Sequence, residues 1–251
     1  MSMNTVDEVL QNCTIDGKVV FLPDVQLDRK LYLQVQQKLE FIGGQWSRKE
    51  RGFIFEHFPD ELLKNIQEGQ QINLKKDFQF FETPSNLAKM MVALCDFDFS
   101  KGTIIKVLEP SAGKGTLLKE LPLVSGFFDL TVCEINALCF PFLKDFPGIN
   151  IIEGDFLKTY FPANHFDIII ANPPFSKNQD IDHIEKMYEL CRPGGKIVSV
   201  ASVHWQISTF QKETRFRNWL DSIDSEIIPI DKGMFKESGT MVPSSLIVIN
   251  K

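Results

Sequence analysis

The run Val107-Leu108-Glu109-Pro110-Ser111-Ala112-Gly113-Lys114-Gly115-Thr116 reads as the end of a buried strand, a glycine-containing turn and the first residue of a helix. From about residue 103 onward, short apolar runs alternate with helical patterns, as in a parallel sheet covered by helices on both faces. The predicted strands are Thr103 to Leu108, Asp129 to Cys133, Asn150 to Glu153, Phe166 to Ala171, Lys196 to Ala201, Ser225 to Pro229 and Ser245 to Asn250. No helical pattern lies in Ile230 to Ser244, between the last two, so the final strand is expected to run antiparallel. The fold class is therefore α/β, with a seven-stranded sheet.

Upstream, Lys18 to Leu22 predicts a strand, and Asp28 to Phe41 a helix with Leu31, Val35 and Leu39 along one face. Gly43 to Trp46 and Gly52 to Phe55 read as two short strands joined by a basic turn, and Pro59 to Gln67 as a helix. The expected division is a small α+β module over residues 1–74 and a main domain over 75–251. Thr83-Pro84 reads as a helix start, with Thr83 at the N-cap and Pro84 in the first turn, leading into Leu87, Met90, Met91 and Leu94.

Composition narrows the function classes. The chain has 251 residues, 43% of them hydrophobic, which suffices for a full core. There is no leader-like start and no apolar run near the ~20 residues that span a bilayer, so a cytoplasmic protein without a membrane partner is expected. Five cysteines, widely spaced and without a C-x-x-C pair, read as reduced thiols, and the four histidines lack metal-ligand spacing, so no metal is expected. A net charge of −6 argues against a basic coat for nonspecific nucleic-acid binding. Two local basic clusters remain: Arg48, Lys49 and Arg51 beside Trp46 and Phe53, and Lys212, Arg215 and Arg217 near Trp205 and Phe210. Either is an ordinary solvated face unless it borders a site.

The chemistry gathers at strand ends. After the Gly113-Lys114-Gly115 turn, a dinucleotide fingerprint would place a third glycine where Leu118 stands, so nicotinamide chemistry is weakly supported. The second strand ends in Cys133-Glu134-Ile135-Asn136, roughly 20 residues on, where a carboxylate can accept both ribose hydroxyls. The third ends in Glu153-Gly154-Asp155-Phe156 and the fourth in Asn172-Pro173-Pro174-Phe175. Taken singly, Glu109 also reads as a strand-end charge, Glu134 as a helix cap and Asp155 as a turn former. Four such groups at the carboxyl ends of successive strands read together as one ligand site.

The Asn-Pro-Pro-Phe turn states what that site would hold. Two prolines fix φ near −65° and donate no amide hydrogens, giving a stiff extended exit from the strand. Asn172 offers a side-chain oxygen, Pro173 a backbone carbonyl and Phe175 an aromatic face, a set suited to a planar ring bearing an exocyclic NH2.

On these residues the chain resembles the S-adenosylmethionine-dependent DNA adenine-N6 methyltransferases with gamma-class motif order. The resemblance covers residues 78–250 through Phe80-Phe81-Glu82-Thr83-Pro84, Leu108 to Gly115, Cys133-Glu134, Gly154-Asp155-Phe156 and Asn172 to Phe175. It implies a Rossmann-like class I methyltransferase sheet and transfer of a methyl group from S-adenosylmethionine to adenine N6 in DNA. It implies that Thr83, Glu109, Ala112 and Gly113 surround the methionine part of the cofactor, with Pro84 and Pro110 also binding the cofactor. Glu134 would hold the ribose, Asp155 and Phe156 the adenine, and Ile135 and Asn172 would also border the cofactor, Asn172 bordering the target as well. Asn172, Pro173, Pro174 and Phe175 would be catalytic, and Phe235, in the run Phe235 to Thr240, would line the target-base pocket with Phe175. Arg48, Lys49 and Arg51 would contribute nucleic-acid contacts from the N-terminal module.

The departures lie where substrate is chosen. Gamma-class enzymes usually carry a large target-recognition domain after the last strand, and the sequence stops at Lys251, a layout similar to compact methyltransferases of phages and mobile elements. RNA base methylation on adenine N6 or guanine N2 uses the same acceptor logic. Protein glutamine N5 methylation and a non-catalytic binding subunit are the further alternatives; in the glutamine enzymes the turn aromatic is commonly tyrosine.

Overall fold

Alternating burial on strand Phe166–Ala171 sets the architecture: Ile168 and Ile170 enter one apolar cluster while Ile169 and Ala171 enter another. A strand buried on both faces belongs inside a sheet with helices above and below. The structure, a computed structural model, describes residues 3–41, 44–55, 59, 82–100, 102–122, 126–136, 139–231, 233–235 and 242–251. The chain forms two compact units, Met1–Asn73 and Leu74–Lys251.

In the first unit, α1 (Val6–Gln11) opens on a capping box: Glu8 N donates to Thr5 Oγ1 at 3.2 Å, and Thr5 N to Glu8 Oε2 at 3.1 Å. Strands β1 (Thr14–Asp16) and β2 (Val19–Phe21) form a hairpin, followed by α2 (Arg29–Phe41), β3 (Gln45–Ser47) and β4 (Gly52–Ile54). The four strands pair in the order β1-β2-β4-β3, and Leu31, Val35 and Leu39 of α2 are buried. The predicted strand at 18–22 is thus the second arm of a hairpin. The predicted helix after Pro59 lies outside the described residues.

The second unit begins with α3 (Ser85–Leu94), followed by β5 (Ile105–Glu109), α4 (Thr116–Glu120), β6 (Phe128–Glu134), α5 (Phe140–Leu143) and β7 (Ile149–Glu153). It continues with β8 (Phe166–Ala171), α6 (Gln179–Leu190), β9 (Cys191–Ser202), α7 (His204–Ile207), α8 (Gln211–Asp221), β10 (Ser225–Pro229) and β11 (Ser244–Asn250). The seven strands pair in the order β10-β11-β9-β8-β5-β6-β7. Strands β5 to β9 pair in parallel, and β11 is antiparallel to both β9 and β10, as expected from the sequence of the connection before it.

Leu87 and Met91 of α3, Leu117 and Leu118 of α4 and Leu143 of α5 pack on one face of this sheet. Ile181, Ile184 and Met187 of α6, Trp205 of α7 and Phe216 and Leu220 of α8 pack on the other. Each such side chain contributes about 1.5–3 kcal/mol when fully buried. Chain order departs from spatial order between β5 and β8, the switch point at which ligands bind in open α/β sheets.

Two local expectations change. Strand β9 begins at Cys191, five residues before the predicted start at Lys196, because a register shift opposite Phe166 and Ile168 absorbs Arg192-Pro193-Gly194-Gly195. Helix α3 starts at Ser85 with Pro84 as N-cap (φ −55°, ψ 140°) and no side-chain cap. Thr83 does not cap the helix: its hydroxyl accepts a hydrogen bond from Asn172 Nδ2 instead, at 3.1 Å.

Candidate active site

The carboxyl ends of β5, β6, β7, β8 and β9 enclose a cavity of about 830 Å³, within the range usual for small-molecule sites. Backbone hydrogen bonds tie the strand ends together. Ala112 N donates to Cys133 O at 3.1 Å, and Gly154 N to Glu134 O at 2.8 Å, so the turns after β5, β6 and β7 are linked by backbone hydrogen bonds.

The turn after β5 brings Glu109, Pro110, Ser111, Ala112, Gly113 and Lys114 to the cavity wall. Gly115 has φ 78°, and a Cβ there would lie 2.7 Å from Phe146 Cε2, so both backbone conformation and space require glycine. Glu109 is 2% exposed, and its Oε2 has no hydrogen-bond partner among the described residues. Burial, with the nearby Glu134 charge, pushes its carboxyl well above the ordinary carboxylate range. A buried acceptor of this kind on a cavity wall is the complement of a cationic or N–H-bearing ligand.

Glu134 at the end of β6 is held from both sides. Gly113 N donates to its Oε2 at 2.6 Å and Asn136 N to its Oε1 at 2.7 Å. Burial raises this carboxyl's pKa against the opposing pull of those amides. A carboxylate oxygen has two lone pairs, so each oxygen keeps capacity for a further donor such as a ribose hydroxyl. Ile135, next to it, lines the cavity with an exposed side chain.

After β7, Asp155 caps its own turn: Oδ1 accepts from Leu157 N at 2.9 Å, and Oδ2 pairs with Lys158 at 3.0 Å. Desolvation would raise its pKa, but the Lys158 and Leu157 hydrogen bonds and the Lys158 charge outweigh it and hold the carboxyl below its ordinary value. Phe156 is buried under α6. Lys186 donates to the carbonyls of Phe156, Leu157 and Thr159 at 2.6, 3.3 and 2.7 Å, with Nζ 4.9 Å from the Phe156 ring centroid. His183, one turn earlier, packs its ring 5.2 Å from that of Phe156 and shares a hydrogen bond of 2.8 Å between Nδ1 and Gln179 O. Burial lowers the His183 pKa, favouring a neutral imidazole on the cavity wall.

The turn after β8 places Asn172, Pro173, Pro174 and Phe175 along the same cavity, and buried Phe235 faces it as well. Asn172 Nδ2 donates to Thr83 Oγ1, which fixes the plane of the amide at the cavity wall. The Asn-Pro-Pro-Phe turn and the segment before α3 therefore meet across 89 positions of sequence.

Of the residues singled out from the sequence, Thr83, Glu109, Pro110, Ala112, Gly113, Glu134, Ile135, Asp155, Phe156, Asn172 to Phe175 and Phe235 line this cavity. Pro84 does not line it; its carbonyl accepts from Ala88 N at 2.9 Å in the first turn of α3. Arg48, Lys49 and Arg51 lie exposed on the β3–β4 turn of the first unit. In the second basic cluster, Lys212 pairs with Asp182 at 2.8 Å, Arg215 with Glu185 at 3.0 Å, and Arg217 donates to the carbonyls of Trp205 and Ser208, so these cations are engaged in holding α8. Lys177, Asn178, His183, Ser202 and His204 line the cavity without having been singled out as site residues. Lys177, Asn178 and His183 follow the Asn-Pro-Pro-Phe turn directly, and that proximity was the available signal.

All five cysteines are free, and four are buried. Burial pushes the Cys95 thiol up to about 12 and that of Cys133 to about 11, which leaves both inert near neutrality. Among the described residues, no helix is long and apolar enough to cross a membrane.

No protein-family model matches the sequence, and no curated protein matches it. Solved structures do match. The 23S rRNA methyltransferase ErmE is similar at 16% identity and a TM-score of 0.50, over 66% of this chain and 67% of that one. TrmN from Thermus thermophilus matches at 18% identity and a TM-score of 0.48, over 66% of this chain but 48% of its own, so this chain spans about half of TrmN. A dimethyladenosine transferase from Plasmodium falciparum matches at 15% identity and a TM-score of 0.49, over 66% of this chain and 61% of that one. At these identities the likeness is one of fold: the sheet is the Rossmann-like sheet found in ErmE.

Proposed function

We propose that the chain transfers a methyl group from S-adenosylmethionine to the exocyclic N6 amine of adenine in DNA. The observation that carries this reading is the Asn172-Pro173-Pro174-Phe175 turn, aligned on a cavity whose other walls suit the cofactor. The donor set fits that group part by part. Unpartnered Glu109 Oε2 suits an ammonium, the amide-held carboxylate of Glu134 suits two ribose hydroxyls, and Asp155 beside Phe156 suits an aminopurine. Bound there, S-adenosylmethionine supplies a methyl group already activated by its positive sulfur.

The chain's own part is positioning and electrostatics. An aromatic amine is a weak nucleophile because its lone pair is delocalised into the ring. Asn172 Oδ1 and the Pro173 carbonyl accept the two N–H hydrogens and favour a more pyramidal nitrogen, with its lone pair directed away from the ring. The prolines hold these acceptors without backbone N–H donors that would compete. Phe175 lies against one face of the base. Thr83, by accepting from Asn172 Nδ2, keeps the amide oriented before substrate arrives, so little reorganisation is needed at the reacting geometry.

RNA is the second acceptor reading. ErmE is by name an rRNA methyltransferase, and an exocyclic amine on an RNA base would make the same contacts in this turn. In either case Asn172→Ala should abolish most methyl transfer while S-adenosylmethionine still raises the melting temperature. Wild-type turnover in that variant would refute the mechanism.

A further inference from the structure

We propose that Lys177 contacts a backbone phosphate of the strand that carries the target base, from a bend that holds it at the lip of the cavity. The inference rests on the nucleic-acid reading above. Lys177 (φ 54°, ψ 25°) and Asn178 (φ 56°, ψ 39°) are consecutive non-glycine residues in the left-handed region, two positions beyond Phe175. One such residue is uncommon, and two together persist only where the surroundings over-determine them.

The surroundings here are specific. Asn178 Nδ2 donates to Glu213 Oε1 at 2.7 Å, and Glu213 is 2% exposed. Lys212 Nζ donates to the Asn178 carbonyl at 2.9 Å and is itself paired with Asp182. Asn178 N closes the turn on Phe175 O at 3.2 Å. Helix α8 therefore grips Asn178 from behind and fixes the residue before it.

What this fixes is the backbone position that carries a cation. Lys177 is exposed, lines the cavity and has no hydrogen bond or ion pair among the described residues, whereas Lys212, Arg215 and Arg217 of α8 are all engaged. His204 lines the same cavity, with its Nε2 3.9 Å from Glu213 Oε1. Beyond it, Ile207 and Phe210 are 81% and 71% exposed. An ammonium carried on a fixed backbone position, with Ile207 at the end of α7 and Phe210 at the N-cap of α8 both exposed, suits a single strand, whose phosphate the lysine neutralises. The acceptor carrying N6 would then reach Asn172 as an unpaired or flipped-out base.

The test is fluorescence anisotropy of labelled adenine-containing single-stranded DNA and RNA against the full chain, with S-adenosylmethionine present, over a series of salt concentrations. Lys177→Gln should weaken binding several-fold at low salt and reduce the magnitude of the slope of log K against log salt by about 0.7, the loss of one single-strand phosphate contact. Lys177→Arg should retain both. In methyl transfer, Lys177→Gln should raise KM for nucleic acid more than it lowers kcat, and cofactor stabilisation should be unchanged. Wild-type affinity and slope in Lys177→Gln overturn the proposal. A wild-type chain stabilised by S-adenosylmethionine that binds neither oligonucleotide overturns it too, and locates the failure in the acceptor rather than the cofactor. Absence of cofactor stabilisation, with a slope that still depends on Lys177, sinks the methyltransferase reading and leaves the phosphate contact standing.

Discussion

Replacing Glu109 should make the protein more stable and less able to bind its cofactor. Its Oε2 is buried without a hydrogen-bond partner among the described residues, and burial together with the Glu134 charge raises its pKa in the folded state. Below the ordinary carboxyl range both folded and unfolded chains carry the proton, and Glu109 exerts no charge penalty. As pH rises through that range towards the raised folded value, the unfolded chain releases the proton first, so the contribution of Glu109 to stability falls. Glu109→Met keeps the length of the side chain and removes the unsatisfied group, whose burial costs about 1–3 kcal/mol. At about 2–4 °C per kcal/mol for a chain of this size, the melting temperature should rise by roughly 2–12 °C at about pH 8, and by less at about pH 5. Glu109→Gln, neutral but still unpartnered, should fall between the two. Adding S-adenosylmethionine at a hundred times its Kd should stabilise the wild type by about 2.7 kcal/mol and the Met variant far less. Thermal melts at the two pH values, with and without cofactor, read all of this. Equal destabilisation of both variants at both pH values, or an undiminished cofactor response in Glu109→Met, would refute the reasoning.

Other perturbations separate positioning from packing. Phe175→Ala should lower kcat/KM for the acceptor roughly 5- to 150-fold, the equivalent of about 1–3 kcal/mol of stacking, without abolishing transfer, as steady-state kinetics will show. Lys186→Met keeps the aliphatic stem but removes the ammonium that gathers three carbonyls, and should raise KM for S-adenosylmethionine while leaving kcat at saturation near wild type. Gly115→Ala forces a Cβ to within 2.7 Å of Phe146 in a left-handed backbone and should cost about 1–2 kcal/mol from conformation alone, seen as a lower melting temperature.

The sheet was legible because its physics is local. Val107 and Leu108, or Ile168, Ile169 and Ile170, must bury both faces of a strand, and Glu109, Glu134, Asp155 and Asn172 mark where each strand stops being apolar. The antiparallel last strand followed from a connection too poor in helical pattern for a crossover. The short α1 and β1 were missed: six and three residues are too few for a periodicity to emerge. Within the site, strand-end positions were readable, but pairings between distant segments were not. Nothing near Thr83 shows that its hydroxyl will serve Asn172 rather than the helix it precedes. Likewise, Asn178 adopts left-handed geometry because Glu213 and Lys212 reach it from 35 and 34 positions away. Lys186 looks like any amphipathic lysine until the 155–159 turn closes over it.

The most direct measurement is transfer of labelled methyl from S-adenosylmethionine to duplex DNA, single-stranded DNA, total RNA and cell protein in parallel, followed by nucleoside analysis, with Asn172→Ala as control. N6-methyladenine is expected in DNA and absent from the control. Label confined to protein, or none in any acceptor from a chain that S-adenosylmethionine stabilises, would contradict the nucleic-acid account. Label confined to RNA would keep the Asn172 chemistry and overturn DNA as the acceptor.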